Sequence, residues 1–83
     1  MMTPEQFRAA GLALFGPAWG TALARRLSVS PGFVSNMAAG RDAIPAGMAS
    51  RLLLLLDARA AEIAAARPAL LAEAAVHPAV VTD

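Results

Sequence analysis

The sequence predicts an all-α fold, a compact domain of four to five helices with a long fourth helix. The apolar fraction is 58%, above the roughly 45–50% of an ordinary domain. Alanine and leucine supply much of the excess, and both favour helix. Thr3-Pro4 and Ser30-Pro31 each have the form of a capped helix start. Gly16-Pro17 and Gly40 follow two of the predicted helices, where the chain must leave helical geometry.

The first two helices follow from local patterns. Thr3 can form a capping box with Gln6, and apolar residues including Phe7 and Leu14 then recur on one face. A second, short helix is predicted over about residues 18–27. Together these segments place two amphipathic helices in the first third of the chain.

The remaining elements are a third short helix and a long fourth one. The third is predicted over about residues 30–40, and the fourth over about residues 46–66. Pro68 is expected to break or kink the fourth helix, with a short last helix over about residues 68–76. Residues 79–83 are expected to form a loose tail or an arm that docks on a partner.

The composition excludes several classes of protein. The chain has no Cys, which excludes a disulfide scaffold, thiolate metal sites and thiol catalysis. His77 has no second candidate ligand near it in the sequence, and no Lys or Tyr is present to complete a catalytic group. We therefore expect no metal, no cofactor and no enzymatic activity. The apolar run Leu52–Leu56 ends at Asp57, far short of the roughly 20 residues of a membrane span, and no segment reads as a signal peptide.

Basic charge is concentrated in the first part of the chain. Residues 1–51 carry five Arg against one Glu and one Asp, whereas residues 52–83 carry two Arg against four acidic residues. This asymmetry is modest, but it favours an anionic partner for the first part.

The segment from Trp19 to Gly40 carries most of the functional information, because it pairs two short helices across a tight turn. Ala24 is small enough to let the two helices approach closely. Apolar side chains fill the wedge between them: Leu23, Leu27, Val29, Val34 and Met37. The outer face of the second helix remains free, and a DNA major groove is wide enough to admit a helix.

These residues also carry a family resemblance. The pattern is Leu-Ala, Leu, Val-Ser, Val-Ser and a closing Gly, and the matching positions lie in register: Leu23, Ala24, Leu27, Val29, Ser30, Val34, Ser35 and Gly40. The segment resembles the Cro/repressor helix-turn-helix family (lambda-repressor-like, XRE-type), over about residues 3–56. The resemblance implies a cytoplasmic, nucleoid-associated transcriptional regulator that binds double-stranded DNA without a cofactor. It also implies that the recognition helix, about Ser30–Ala39, enters the major groove.

Four positions depart from the family pattern. Gly20 stands where the family often has Gln, which removes a frequent phosphate contact. Ser28 replaces the turn Gly, so it must take an unusual backbone angle or the turn must differ. Pro31 and Gly32 occupy positions from which family members often reach base edges. DNA shape is therefore expected to carry part of the specificity.

The candidate DNA-binding residues lie on or beside the predicted recognition helix. Asn36 can bond an adenine edge in a bidentate manner, and Arg41 is expected to contact a phosphate. Phe33 is expected to be exposed, where it would touch a thymine methyl or a partner protein. The full candidate surface is Thr21, Arg25, Ser30, Pro31, Gly32, Phe33, Ser35, Asn36 and Arg41.

The fourth helix is apolar nearly all round, so it needs cover on more than one side. A chain of 83 residues offers little cover of its own, and a second copy is the predicted source. The predicted homodimer interface consists of Leu53, Leu54, Ile63, Leu70 and Leu71. We accordingly divide the chain into a helix-turn-helix domain, residues 1–66, and a C-terminal helical segment and tail, residues 67–83, which contributes to the dimer.

A second function from another class stays open. The runner-up to DNA binding is a phage-like or antitoxin-like adaptor, in which the same helix pair binds a protein partner and has little affinity for DNA. DNA binding predicts that changes at Ser35 and Asn36 alter sequence preference. The adaptor function predicts no DNA affinity at moderate salt and a loss of partner binding when Phe33 is changed.

Overall fold

A computed structural model describes residues 1–78 of the chain and contains four α-helices. They are α1 (Pro4–Phe15), α2 (Trp19–Leu27), α3 (Pro31–Ala38) and α4 (Met48–Val76). No strand occurs in this part of the chain, so the all-α prediction is confirmed. The predicted tail, residues 79–83, lies outside the described residues.

The predicted caps form as expected. The Thr3 side chain accepts a hydrogen bond from the Gln6 backbone N–H at 3.1 Å, and the Thr3 backbone N–H donates to Gln6 Oε1 at 2.9 Å. Ser30 Oγ accepts from the Phe33 backbone N–H at 3.1 Å and so caps α3. Each bond satisfies a backbone donor that has no partner within its own helix.

The fourth helix does not end before Pro68. It continues for 29 residues with Pro68 inside it, so the prediction of a separate fifth helix is wrong. An interior proline costs a helix about 3 kcal/mol. Residues 58–66 and 69–75 are mostly alanine and leucine, the strongest helix formers, and they keep the segment helical on both sides of the proline.

The core lies among the first three helices and the first turns of α4. Nine hydrophobic residues are buried: Phe7, Leu14, Leu23, Ala24, Leu27, Val34, Met37, Met48 and Leu52. The first three helices pack against one another, and α4 packs against α1. All five residues predicted to fill the wedge between α2 and α3 lie in this core or against it.

Trp19 fixes the contact between α1 and α2. Its ring packs edge-on against Phe7, with ring centroids 5.8 Å apart and an interplanar angle of 77°. The indole also lies on Gly11, where a Cβ atom would come within 2.8 Å of Trp19 Cζ3 and closer still to two other ring atoms. Gly11 therefore leaves the space on α1 that the Trp19 ring occupies.

The outer part of α4 extends away from this core. Every residue from 57 to 78 is exposed, and the long dimension of the molecule is 51 Å. The radius of gyration is 16.7 Å, whereas a compact chain of this length has about 12 Å. The prediction of a compact domain thus holds for the first 56 residues and is wrong for the rest. Within the described range, no helix is both long enough and apolar enough to cross a membrane.

Candidate nucleic-acid interface

The turn between α2 and α3 consists of Ser28, Val29 and Ser30. Ser28 adopts the left-handed conformation, with φ 59° and ψ 42°. Its neighbour Val29 donates a backbone hydrogen bond to the Ala24 carbonyl at 3.0 Å, which closes the end of α2. Of the two alternatives at Ser28, the unusual backbone angle is the correct one. The cost of this angle for a residue with a Cβ is about 1–2 kcal/mol.

One face of α3 points to solvent and the other enters the core. Val34 and Met37 are buried, while Pro31, Gly32 and Ser35 are exposed. The exposed residues are spaced one and three positions apart, so they lie on one side of the helix. This uncovered face contains no charged side chain.

Asn36 and Arg41 form a pair at the end of α3. Arg41 Nε donates to Asn36 Oδ1 at 3.0 Å, and the Arg41 backbone N–H donates to the Asn36 carbonyl at 2.8 Å. Asn36 is half-buried and Arg41 is exposed. Two candidate residues that are five positions apart are thus joined, and each limits the orientation of the other.

Thr21 and Arg25 lie one helical turn apart on α2 and are exposed. Thr21 also lines a shallow groove between α2 and α3, together with Pro31 and Ser35. Within residues 1–78, no ion pair and no side-chain hydrogen bond engages Arg25. The groove and the face of α3 bring candidates from two helices onto one surface.

Arg26, next to Arg25, points elsewhere. It lines a cleft between the end of α1 and α4 together with Arg59 and Glu62. Two adjacent arginines of equal charge therefore belong to different surfaces of the molecule.

The expectation that Phe33 is exposed is wrong. Its side chain is half-buried and packs against the hydrophobic core. The reason is position, because Phe33 lies one helical turn before the buried Met37 and so on the side of this short helix that faces the core. A substitution of Phe33 would consequently change stability as well as any binding.

Two arginines that sequence reasoning did not single out have a structural function. Arg8 donates to the Ala38 carbonyl and lies 3.6 Å from the Glu5 carboxylate. Arg51 donates to the Leu27 carbonyl at 3.1 Å. Both place positive charge at a helix C-terminus, where the dipole favours it. These contacts join residues 30 and 24 positions apart, and no local pattern in the sequence signals them.

The predicted dimer residues are exposed in the single chain: Leu53, Leu54, Ile63, Leu70 and Leu71. They lie along α4, and the last three belong to the part that extends from the core. In the described residues, no cluster of three His, Cys, Asp or Glu side chains could hold a metal ion.

Comparison with known proteins adds no relative. No family model matches the chain, and neither the curated proteins nor the solved structures contain a significant match.

Proposed function

We propose that this protein is a double-stranded DNA-binding transcriptional regulator of the helix-turn-helix class, acting as a homodimer with α3 in the major groove. One observation carries the proposal. Two short helices, α2 and α3, are joined by a three-residue turn and share a core, while the outer face of α3 stays uncovered. The size of a lone helix suits the major groove. The resemblance to the Cro/repressor family rests on this same segment.

Phosphate contacts would come from residues beside α3. Thr21 lines the groove between α2 and α3, Arg25 lies one helical turn further along α2, and Arg41 is the third residue after the end of α3. Arginine and hydroxyl side chains are common phosphate ligands that set the register of a protein on DNA. Each arginine that neutralises a phosphate makes the affinity more dependent on salt.

Base recognition would rest on Asn36 and Ser35. Asn36 Oδ1 accepts one bond from Arg41, which leaves a second lone pair on that oxygen and two amide donors. A bidentate contact with adenine needs one acceptor and one donor. The Arg41 bond therefore orients the Asn36 amide without using up its capacity to read a base.

The first turn of α3 carries little chemistry for direct reading, since Pro31 and Gly32 offer no side-chain donor. Its small residues instead allow the helix backbone to come close to the groove. Specificity at the neighbouring base pairs would then depend on groove width and deformability.

The test is a fluorescence polarisation titration with genomic duplex fragments at 50 and 200 mM salt. We expect binding at the lower salt concentration and a steep loss at the higher one. Arg25→Ala should weaken binding to all fragments and lower the salt slope by about 1. Arg26→Ala is the matched control. It removes the same charge at the neighbouring position, but from a surface that faces α4 and not α3. Its affinity should stay close to that of the unchanged chain.

Two results would refute the proposal. One is a folded chain that binds no fragment at 50 mM salt, a result that would favour the protein-binding adaptor. The other is an equal loss of affinity in the Arg25 and Arg26 variants, because nonspecific charge attraction would then explain the binding.

A further inference from the structure

The outer part of α4 is a helix without tertiary cover. Residues 57–76 span about 30 Å at the usual helical rise, and all of them are exposed. Large aliphatic side chains are among them, with Ile63 55% exposed and Leu70 68% exposed. Such a helix gains most of its stability from packing of an apolar face, so a partner for this face is needed.

The apolar face of α4 has the spacing of a two-stranded coiled coil. Its positions alternate in steps of three and four: Leu53, Leu56, Ala60, Ile63, Arg67, Leu70 and Ala74. We call this set the α4 stripe. Near the core it runs into an apolar groove between α4 and the start of α1, lined by Met1, Met2 and Ala10 together with Leu53 and Leu56.

We propose that a second copy of this chain covers the α4 stripe, with the two α4 helices antiparallel and a two-fold axis near Ala65. In this alignment Leu56 faces the partner's Ala74, and Ala60 faces the partner's Leu70. Each large residue meets a small one, which allows close packing. The last turns of the partner's α4 would lie in the groove beside Met2.

The charged side chains along α4 select this direction. Arg59 and Glu73 flank the stripe on the same side, because each directly precedes a stripe position, Ala60 or Ala74. With the two-fold axis near Ala65, the partner's Glu73 lies two residues, about 3 Å along the helix, from the level of Arg59. The long Arg59 side chain spans this offset, and the two-fold axis repeats the contact. In the single chain Arg59 lies 3.4 Å from Glu62 and both are exposed, so its guanidinium remains accessible to a second carboxylate.

The parallel direction is disfavoured by Arg67, which lies within the stripe. Parallel helices in register would place Arg67 against the partner's Arg67 between the two helices. In the antiparallel arrangement Arg67 instead lies against the partner's Ile63, where its aliphatic stem can pack while the guanidinium reaches water. A single charged residue at such a position is a known determinant of helix alignment.

The exposed aliphatic side chains of α4 supply the apolar centre of this interface. Leu53, Ile63 and Leu70 are each more than half exposed, and at roughly 80 Å² for a large aliphatic side chain the six of them in a dimer cover about 480 Å². The stripe alanines, the stem of Arg67 and the flanking Leu71 add to this area.

The first experiment measures the mass of the full chain in solution by light scattering and sedimentation from 1 to 200 µM, without DNA. We expect a dimer, and a monomer throughout this range would overturn the proposal. Leu70→Asp should produce a monomer. Ala72→Asp, with the same charge on the same helix but outside the stripe, should remain a dimer, and equal effects of the two variants would also overturn the proposal. The fluorescence of Trp19, which packs against Phe7, reports that the core stays folded in both.

The second experiment tests direction and alignment. Glu73→Arg alone should raise the dimer dissociation constant about tenfold, because two attractive contacts become repulsive. Combining it with Arg59→Glu should restore the constant to within about threefold. If the double variant is no tighter than the single one, the Arg59–Glu73 pairing is wrong.

A spin label on Ala75→Cys gives the direction independently, because the natural chain has no Cys. Antiparallel helices should separate the two labels by about 30 Å along the axis. Parallel helices would keep them at about one interhelix distance, roughly 10 Å before the label arms are added, and that result would overturn the proposal. The inference deepens the homodimer part of the proposed function. Because these measurements use no DNA, a failure of dimerisation and a failure of DNA binding are told apart.

Discussion

The contact between Trp19 and Gly11 gives the sharpest test of the fold. Replacement of Gly11 by alanine adds a Cβ that would lie within 2.8 Å of Trp19 Cζ3 and closer to Cε3 and Cδ2. Carbon atoms normally approach to about 3.5–4.0 Å. The indole must therefore move by roughly 1 Å or more, and it must give up its edge-on contact with Phe7.

The magnitude follows from three effects. Overpacking a closely packed site costs about 1–3 kcal/mol, and loss of the aromatic pair adds about 0.5–1.5 kcal/mol. Alanine in place of a helical glycine returns about 1 kcal/mol. The net expectation for Gly11→Ala is a loss of about 1–3 kcal/mol in the free energy of unfolding. For a domain of this size that lowers Tm by about 5–20 °C.

Gly20→Ala is the matched control. Gly20 is also helical, but a Cβ there would meet no atom within 4 Å. Because no clash opposes the higher helix propensity of alanine at this position, the free energy of unfolding should rise by up to about 1 kcal/mol. The two variants make the same chemical change and are expected to shift Tm in opposite directions.

The assay is thermal unfolding followed by circular dichroism at 222 nm, with the emission of Trp19 recorded at 20 °C. Gly11→Ala should lower Tm and move the emission to longer wavelength, because the displaced indole meets more water. If Gly11→Ala melts at or above the temperature of the unchanged chain with the same emission, the close approach of α1 and α2 is incorrect.

Three further predictions concern single side chains. Ser28→Gly relieves the left-handed strain at φ 59°. After subtraction of the entropy cost of glycine in the unfolded chain, it should raise the free energy of unfolding in urea by about 0.5 kcal/mol. The control Ser50→Gly, within α4, should lower that free energy by a similar amount. Arg8→Met keeps the aliphatic stem but removes the donor to the Ala38 carbonyl, and should lower the free energy of unfolding by about 1 kcal/mol. The control Arg25→Met should change that free energy by less than about 0.5 kcal/mol. Asn36→Ala should reduce the discrimination at one base pair by about 1–3 kcal/mol, measured in competition titrations with single-base variants of a bound duplex. If the discrimination is unchanged at every position, Asn36 does not contact a base.

Features set by near neighbours could be predicted from the sequence. The capping box of Thr3 and Gln6, and the cap at Ser30, depend on residues three positions apart. The inward residues of α2 and α3 follow from helical periodicity, because a core face recurs every three or four positions. At Ser28 the comparison with the family pattern left two alternatives, an unusual backbone angle or a different turn, and the structure has the former, with φ 59°.

Contacts between distant residues could not be predicted in this way. Arg8 and Arg51 belong to the basic first part of the chain, but each satisfies a carbonyl at the end of another helix. Their charge still contributes to the field around the protein, while their guanidinium donors are engaged. Phe33 likewise required the packing of the whole core before its burial was evident.

For the fourth helix, one sequence prediction agrees with the structure and another does not. Its apolar residues predicted that it lacks cover within one chain, and the exposure of Leu53, Ile63 and Leu70 agrees with this. The sequence left a break and a kink open at Pro68, and the separate last helix is wrong because the helix propensity of many neighbours outweighs the penalty for an interior proline. The division of the chain after residue 66 and the homodimer remain predictions.

The two proposals support each other through the energetics of binding. If the proposed function holds, one copy would offer few phosphate contacts, chiefly from Arg25 and Arg41, so a single core domain would bind DNA weakly. Joining two such domains makes the second contact intramolecular and can raise the affinity by a factor of about 10²–10⁴. In an antiparallel pair centred at Ala65, the two Met48 residues lie about 50 Å apart along the helices, whereas half-sites one DNA turn apart are separated by about 34 Å. A protein of this design would therefore select half-sites spaced by more than one helical turn, and that spacing, together with the few base contacts of α3, would determine where it binds.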